Sequence, residues 1–226
     1  MKRTMRGCLT ALPVVIAGCG DSTGPELRLD PAVRVVHAAP ETPQLEVVFE
    51  GETRARLEYA EVSEYLPVAS GARELEVFVA GAATPIIDIA PVLDDGASYT
   101  LFAAGRASSI RSILIRDDPT PADTGRARIR LVHAAATAGT VDIYITEPGT
   151  PLSGAAPALM NVDFGDTSAY MVVDARTWQI RVTAAGTQTI LIDLPLLVLS
   201  STRVHTVVMM DTEGSGPPHG LIVLND

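Results

Sequence analysis

Residues 33–39 read VRVVHAA, and residues 129–135 read IRLVHAA. Each run contains branched apolar residues, one arginine, and a histidine followed by two alanines. Short runs rich in Val and Ile are typical of β-strands with one buried face. The second run begins 96 residues after the first, and the segments that follow each run decide the fold.

Five further segments recur in the same order after each run. In the first copy they are LEVVF (45–49), YAEVSEY (59–65), LEVFVAG (75–81), TPIID (84–88) and SYTLF (98–102). Their counterparts are VDIYI (141–145), FGDTSAY (164–170), IRVTAAG (180–186), TILID (189–193) and VHTVV (204–208). The second copy carries one insertion, EPGTPLSGAAPA (147–158). Matching segments in one order, with a single loop insertion, indicate an internal duplication.

The duplication predicts two homologous domains, over residues 31–117 and 127–226. Residues 118–126 between them are rich in Pro, Asp and Gly and predict a linker. Asp117, Asp118 and Asp123 cluster there, and carboxylates between tandem β-domains could hold calcium. No calcium-loop spacing is present, so we favour a solvated, turn-rich linker.

Strand signals within each copy indicate an all-β fold. In residues 141–145, VDIYI, apolar residues alternate with Asp142 and Tyr144, which is the period of a half-buried strand. Turn residues separate such runs, and frequent prolines in the first copy exclude long helices. We assign the window 52–66 to strand and turn. The sequence predicts two tandem antiparallel β-sandwiches, immunoglobulin-like or prealbumin-like.

The N-terminus reads as a secretion signal. MKRTMR (1–6) carries three positive charges, and an apolar stretch too short for a membrane span follows over residues 7–18. Ile16-Ala17-Gly18-Cys19 resembles the bacterial lipobox, a branched aliphatic residue and two small residues before an invariant cysteine. The resemblance implies cleavage between Gly18 and Cys19 and acylation of Cys19, which anchors the chain to a membrane.

Processing at this site predicts a lipid-anchored protein of the cell envelope with a short tether over residues 19–30. Gly20, rather than Asp, follows the lipidated cysteine and favours the outer membrane over the inner one in a diderm organism. Cleavage removes Cys8, so the mature chain has no free thiol and no disulfide. More than one acyl chain gives stable anchoring.

Composition excludes several classes of protein. The chain has 226 residues, a net charge of −10 and 47% hydrophobic residues. Such a chain has enough apolar residues for a core, unlike a disordered protein. Its acidity argues against a nucleic-acid partner, because an acidic surface repels phosphate. Removal of the signal lowers the net charge to −13 and leaves no lysine.

The repeated segments resemble a bacterial family known only as domain of unknown function 4397. The resemblance rests on VRVVHAAPETPQLEVVFEG (33–51), YAEVSEYLPVASG (59–71) and the segment from 75 to 105 that ends in SYTLFAAG. It covers both copies and implies secreted, often lipid-anchored β-rich modules in tandem, with no assigned activity. The second copy departs from the pattern, because VHAAAT lacks the proline of VHAAPE and His205 stands in place of Tyr99.

His37 and His133 occupy the same place at the end of the first strand of each copy. A histidine there could be a metal ligand or a general base, or its ring could bond a neighbouring turn and close the strand end. No second ligand stands at a spacing typical of a metal site. We therefore favour the structural role and assign no catalytic residue, no metal and no cofactor.

The turns YAEVSEY and FGDTSAY each contain an acidic residue, a serine and a tyrosine. Ser63 and Ser168 could order the turn by bonding backbone N–H groups. Tyr65 and Tyr170 could plug the end of each sandwich with the hydroxyl bonded, like a tyrosine corner. The alternative is an exposed aromatic and acidic ledge for a ligand, and we favour the structural interpretation.

Three functions remain open. We favour a non-enzymatic module that binds or adheres to an envelope or extracellular partner, which could be a protein or a glycan. The alternative is a structural spacer or assembly subunit without a specific ligand, and a carboxylate-based hydrolase is a weaker third. The apolar run LIDLPLLVL (191–199), near the single Trp178, predicts a buried strand pair, or a protein interface if it is exposed.

Overall fold

The computed structural model describes residues 29–213 and 219–226. Gly18, Cys19 and most of the predicted tether lie outside the described residues. Strands and one 3₁₀ turn, Leu152–Gly154, make up the regular structure of the described part, which contains no α-helix. Accordingly, none of these residues belongs to a helix that could span a membrane.

The first ten strands build two four-stranded sheets and a short ribbon. The inner sheet has the order β10-β9-β1-β4, the outer sheet has the order β3-β2-β6-β7, and β5 pairs with β8. The bounds are β1 Ala32–Ala38, β2 Leu45–Phe49, β3 Glu52–Leu57, β4 Leu66–Pro67, β5 Gly71–Ala72, β6 Leu75–Val79, β7 Ile87–Ile89, β8 Val92–Leu93, β9 Ser98–Ala104 and β10 Arg111–Asp117.

The other eight strands repeat this arrangement. Their inner sheet has the order β14-β11-β17-β18, and their outer sheet has the order β13-β12-β15-β16. The bounds are β11 Arg126–Ala134, β12 Val141–Thr146, β13 Leu159–Val162, β14 Met171–Asp174, β15 Thr177–Ala184, β16 Ile190–Val198, β17 Val204–Asp211 and β18 His219–Asn225. The exact domain boundaries stay a prediction.

Each inner sheet packs on its outer sheet through alternating apolar side chains. In the first sandwich (β1–β10), Val33 and Leu45 from the two sheets are fully buried in one cluster. In the second sandwich (β11–β18), Ile129 and Val141 occupy the equivalent places. A period of two places every second side chain in the core, and the prediction of two β-sandwiches is confirmed.

One pair of strands in each sandwich is parallel. β1 runs parallel to β9, and β11 runs parallel to β17, whereas the other described pairs are antiparallel. A parallel pair needs a long crossover connection, and here the chain passes through the outer sheet between the two partners. The sequence prediction named only antiparallel pairing and did not include this feature.

The hairpin that joins β2 to β3 differs from its counterpart between β12 and β13. Glu50 and Gly51 form a two-residue turn with φ of 51° and 80°, the positive values that a type I′ hairpin requires. In the second sandwich the inserted segment 147–158 takes the place of this turn. Residues 52–66 form β3, a turn and the first residue of β4, as predicted.

A third apolar cluster joins the two inner sheets. Val36 and Phe102 of the first sandwich pack with Val132 and Val208 of the second, and each is 1% exposed or less. The four sheets therefore stack as outer, inner, inner, outer, with three buried layers of side chains between them. The two inner sheets are buried on both faces.

Candidate functional site

The interface between the inner sheets contains a buried ion pair that joins Arg34 to Asp226. Both side chains are 5% exposed or less. Arg34 Nε also donates to Thr100 Oγ1 at 2.8 Å, and Nη1 donates to the carbonyl oxygen of Asn225 at 3.1 Å. The guanidinium is thus bonded on both sides of the interface, which is the condition for burying a charge.

An equivalent ion pair joins Arg130 to Asp117 in the opposite direction. Both side chains are 2% exposed or less. Arg130 Nε donates to Thr206 Oγ1 at 2.7 Å, and Nη1 donates to the carbonyl oxygen of Arg116 at 2.9 Å. Each bond of the first pair has its counterpart, so the two sandwiches exchange the same contacts across the interface, as the subunits of a symmetric dimer do.

Tyr65 and Tyr170 complete these two networks. The Tyr65 hydroxyl donates to Asp117 Oδ2 at 2.7 Å, and the Tyr170 hydroxyl donates to Asp226 Oδ2 at 2.9 Å. Arg34 lies over the Tyr65 ring, 4.8 Å from its centre. Burial, followed by the charge of Asp117, raises the pKa of Tyr65, and burial raises that of Tyr170 to about 12.

The repeated serines bond the backbone of the first strand of each sandwich. Ser63 Oγ accepts from the N–H of Val35 at 2.8 Å and donates to the carbonyl of Glu64 at 2.7 Å. Ser168 Oγ accepts from the N–H of Leu131 at 2.9 Å. Both hydroxyls are therefore used inside the fold.

His37 and His133 bond turns within their own sandwiches. His37 Nδ1 accepts from the N–H of Ala39 at 3.3 Å, and Nε2 lies 3.3 Å from the Pro43 carbonyl oxygen. His133 Nε2 lies 2.9 Å from the carbonyl oxygen of Gly139. Burial lowers the pKa of both rings. In both rings, Nδ1 accepts a backbone N–H and Nε2 faces a carbonyl oxygen, so both nitrogens are engaged within the fold.

Of the three aspartates expected in a solvated cluster, Asp117 is buried and the expectation is wrong for it, whereas the side chain of Asp118 is 49% exposed. Asp117 is the last residue of β10 and lies in the interface, 5% exposed. Asp118 accepts from Arg128 Nη2 at 2.6 Å, and this hydrogen bond lowers the pKa of Asp118. Asp123 is exposed. Arg128 and Arg130 bind neighbouring carboxylates because they point to the same face of β11.

His205 is a buried histidine whose burial the sequence did not indicate. It is 6% exposed, and neither ring nitrogen has a hydrogen bond of normal geometry to the described residues. In the first sandwich, the Tyr99 hydroxyl at the same place accepts from the N–H of Asp94 at 3.1 Å. Burial lowers the pKa of His205, because a charged ring there would lose its water.

The turns with Ser63 and Ser168 each border a groove. In the first sandwich the groove measures about 430 Å³ and lies between residues 54–57 and the turn. In the second it measures about 180 Å³ and lies between residues 159–162 and the turn. Glu61 and Asp166 line these grooves, so the repeated acids lie at the surface.

Three carboxylates meet on the outer sheet of the first sandwich. One oxygen each of Glu74, Glu76 and Asp88 lies within 4.8 Å of the others. Loss of solvation and the two neighbouring carboxylates raise the pKa of Glu76. This group concentrates negative charge on the outer sheet of the first sandwich.

The apolar run 191–199 is neither fully buried nor fully exposed. Ile192 and Leu197 are each 8% exposed, whereas Leu196 and Val198 are each 66% exposed. β16 is an edge strand of the outer sheet, and an edge strand has neighbours on one side only. The nearby Trp178 donates from Nε1 to the carbonyl oxygen of Asp174 at 2.9 Å.

Two solved structures match the chain at low sequence identity and low TM-score. The chain is 12% identical to the carbohydrate-binding module CBMbc (family CBM26) of Eubacterium rectale Amy13K, solved with maltoheptaose, with a TM-score of 0.28. That match covers 86% of this chain and 97% of the module. A candidate cell adhesion protein of Bacteroides fragilis is 13% identical, with a TM-score of 0.22, and the match covers 88% and 97% of the two chains.

Family comparison gives the clearest assignment. No curated protein matches the sequence significantly. The model of one family, described as domain of unknown function (DUF4397), matches residues 31–144. This range contains the whole first sandwich and reaches into β12 of the second, which is half of the sequence. The chain belongs to the DUF4397 family.

Proposed function

We propose that the protein is a lipid-anchored, non-enzymatic component of the bacterial cell envelope that presents two β-sandwiches as one unit for binding a protein or glycan partner. The observation that carries the proposal is the reciprocal pair of buried ion pairs, Arg34 with Asp226 and Arg130 with Asp117. Separating a buried charge from its partner is strongly destabilising. The interface therefore fixes the two sandwiches with their outer sheets on opposite sides of the stack.

The same geometry argues against catalysis by the repeated residues. The rings of His37 and His133 and the hydroxyls of Ser63 and Ser168 all bond the backbone. A general base or nucleophile must instead reach a substrate. The repeated residues therefore support a scaffold, and we propose no reaction for it.

Anchoring is tested by replacing the cysteine that the lipobox places at the mature N-terminus. In cells labelled with radioactive palmitate, we expect Cys19→Ser to lose the label and to fractionate as a soluble protein. Cys8→Ser is the matched control, because Cys8 lies in the part that cleavage removes, and it should label like the unaltered protein. Membrane-bound Cys19→Ser would contradict the proposal.

Binding is tested separately from anchoring. The mature chain is cross-linked in envelopes of its own cells and recovered, and a genuine partner should be lost from the cross-linked product when excess soluble chain is added before the cross-linker. We expect at least one such competed partner. If none is displaced, the alternative function applies, in which the fixed four-sheet stack acts as a spacer or assembly subunit without a specific ligand.

A further inference from the structure

In the second sandwich, the two central strands of the outer sheet, β12 and β15, are covered on their outer face by the chain itself. Tyr144 and Arg181 point away from the core, yet each is 6% exposed. The inserted segment 147–158 folds over this face. The N–H of Gly149 donates to Gln179 Oε1 at 2.9 Å, and Leu152 is only 8% exposed.

Among residues 29–213 and 219–226, no inserted segment covers the outer sheet of the first sandwich in this way. Its hairpin is the two-residue turn at Glu50 and Gly51, which is too short to fold back over the sheet. Two side chains of β6, Glu76 and Phe78, are more accessible than their counterparts on β15, Arg181 and Thr183, which are 6% and 0% exposed. Glu76 and Phe78 are half-buried, and Asp88 is exposed.

Charges on the two faces differ at matching positions. Across the strands of the second sandwich, Tyr144 is opposite Arg181, and Arg181 is opposite Asp193. In the first sandwich the corresponding row is Val48, Glu76 and Asp88. The second sandwich thus supplies its own cation at the centre of the row, where the first has a carboxylate.

The carboxylates on the outer face of the first sandwich repel one another, and a nearby positive charge would stabilise them. One oxygen each of Glu74, Glu76 and Asp88 lies within 4.8 Å of the others, and like charges at this distance destabilise the face. Of the two arginines on β3, Arg56 is bound to Glu46 at 2.8 Å, and Arg54 donates to the carbonyl oxygen of Pro67 at 3.2 Å. A partner that brings a cation would relieve this repulsion.

We propose that the outer face of the first sandwich is a docking surface for a segment of a partner protein that carries lysine or arginine beside apolar residues. The face is formed by Glu46, Val48, Glu74, Glu76, Phe78 and Asp88. This inference rests on the proposed binding function and names its surface. The partner segment covers the face as the insertion covers the second sandwich, and it supplies a cation as Arg181 does there.

Apolar side chains on this face favour a protein segment as the occupant. Val48 lies opposite Glu76, and Phe78 lies opposite Glu46 on the neighbouring strand. A mixed segment can cover both kinds of side chain, as the insertion with Leu152 covers the second face. A divalent cation would use only the carboxylates.

The probe is a library of random 12-residue peptides displayed on phage and selected on the mature chain. We expect enrichment of peptides in which lysine or arginine neighbours an apolar residue. Glu76→Arg introduces the residue that the second sandwich has at this register, and it should weaken the selected peptides by about tenfold or more. Asp123→Arg has the same charge change in the exposed linker, and it should weaken them less than about threefold.

A second variant, Glu74→Gln with Asp88→Asn, guards against misfolding of the first and should also weaken binding. Enrichment without basic residues, or equal affinity for Glu76→Arg, would overturn the inference. Binding of CaCl₂ alone that is lost in Glu76→Arg would overturn it in favour of a metal site. If cross-linked cells yield a partner that Glu76→Arg still binds, the proposed function stands and this surface is wrong.

Discussion

Arg34 in the first sandwich and Asp226 in the second form a buried ion pair, and Arg130 and Asp117 repeat it across the same interface. Because equivalent residues exchange roles, the two inner sheets meet like the subunits of a symmetric dimer within one chain. The reciprocal pairs also explain why arginine stands within both of the apolar strands β1 and β11.

Replacement of one carboxylate should be strongly destabilising. Asp117→Ala leaves Arg130 without its buried partner and removes the acceptor for the Tyr65 hydroxyl. We expect the free energy of unfolding to fall by about 3 kcal/mol, the lower end of the usual range for breaking a buried pair. The lower end applies because Asp226 remains 3.6 Å from Arg130. Urea unfolding of the mature chain measures it.

Asp123→Ala is the matched control, since Asp123 is exposed in the same linker, and it should change the free energy of unfolding by less than about 0.5 kcal/mol. A loss below about 1 kcal/mol for Asp117→Ala would mean that the ion pair contributes little to holding the sandwiches together.

Alkaline pH should weaken the interface through the tyrosines. The pKa of Tyr170 is raised to about 12, above its value in the unfolded chain of about 10. The folded state therefore binds more protons in this window, and the stabilising contribution is lost as pH rises from about 10 to about 12. Tyr170→Phe should reduce the dependence of the free energy of unfolding on pH in this range. Urea unfolding between pH 9 and 12 measures this dependence. A profile unchanged by the substitution would contradict the assignment.

Acid should destabilise the second sandwich through His205. Its pKa lies below the ordinary value of 6.5, so the unfolded chain binds more protons, and stability falls as pH decreases below about 6.5. His205→Tyr introduces the residue that the first sandwich has at this place. It should reduce the slope of the free energy of unfolding against pH by up to about 1.4 kcal/mol per pH unit.

Urea unfolding at pH values from 5 to 8 gives both slopes. Tyr99→Phe, at the matching place in the first sandwich, is the control and should leave the slope as it is. An equal slope in His205→Tyr would show that the buried ring does not contribute to the pH dependence.

The sandwiches could be predicted from the sequence because their signals are local. Alternation in residues 141–145 and the turn at Glu50 and Gly51 depend on neighbouring residues. The contact of Arg34 with Asp226 spans 192 positions. Alternation also suggests that a charged residue such as Arg34 faces water, whereas here a second inner sheet covers that face.

The sequence contained one local signal that the inner sheets are buried on both faces. Residues 207–210 read VVMM, without the alternation of a half-exposed strand, and continuous apolar runs are typical of strands buried on both faces. All eight residues of β17 are buried. The open outer face of the first sandwich had no such signal, because its exposure depends on an insertion that only the second copy carries, elsewhere in the chain.

The most direct test of the account is calorimetric unfolding of the mature chain, because the central claim is that the interface joins two sandwiches into one unit. We predict a single transition whose calorimetric enthalpy equals its van't Hoff enthalpy, the mark of one cooperative unit. Two separate transitions, or a calorimetric enthalpy about twice the van't Hoff value, would contradict the claim.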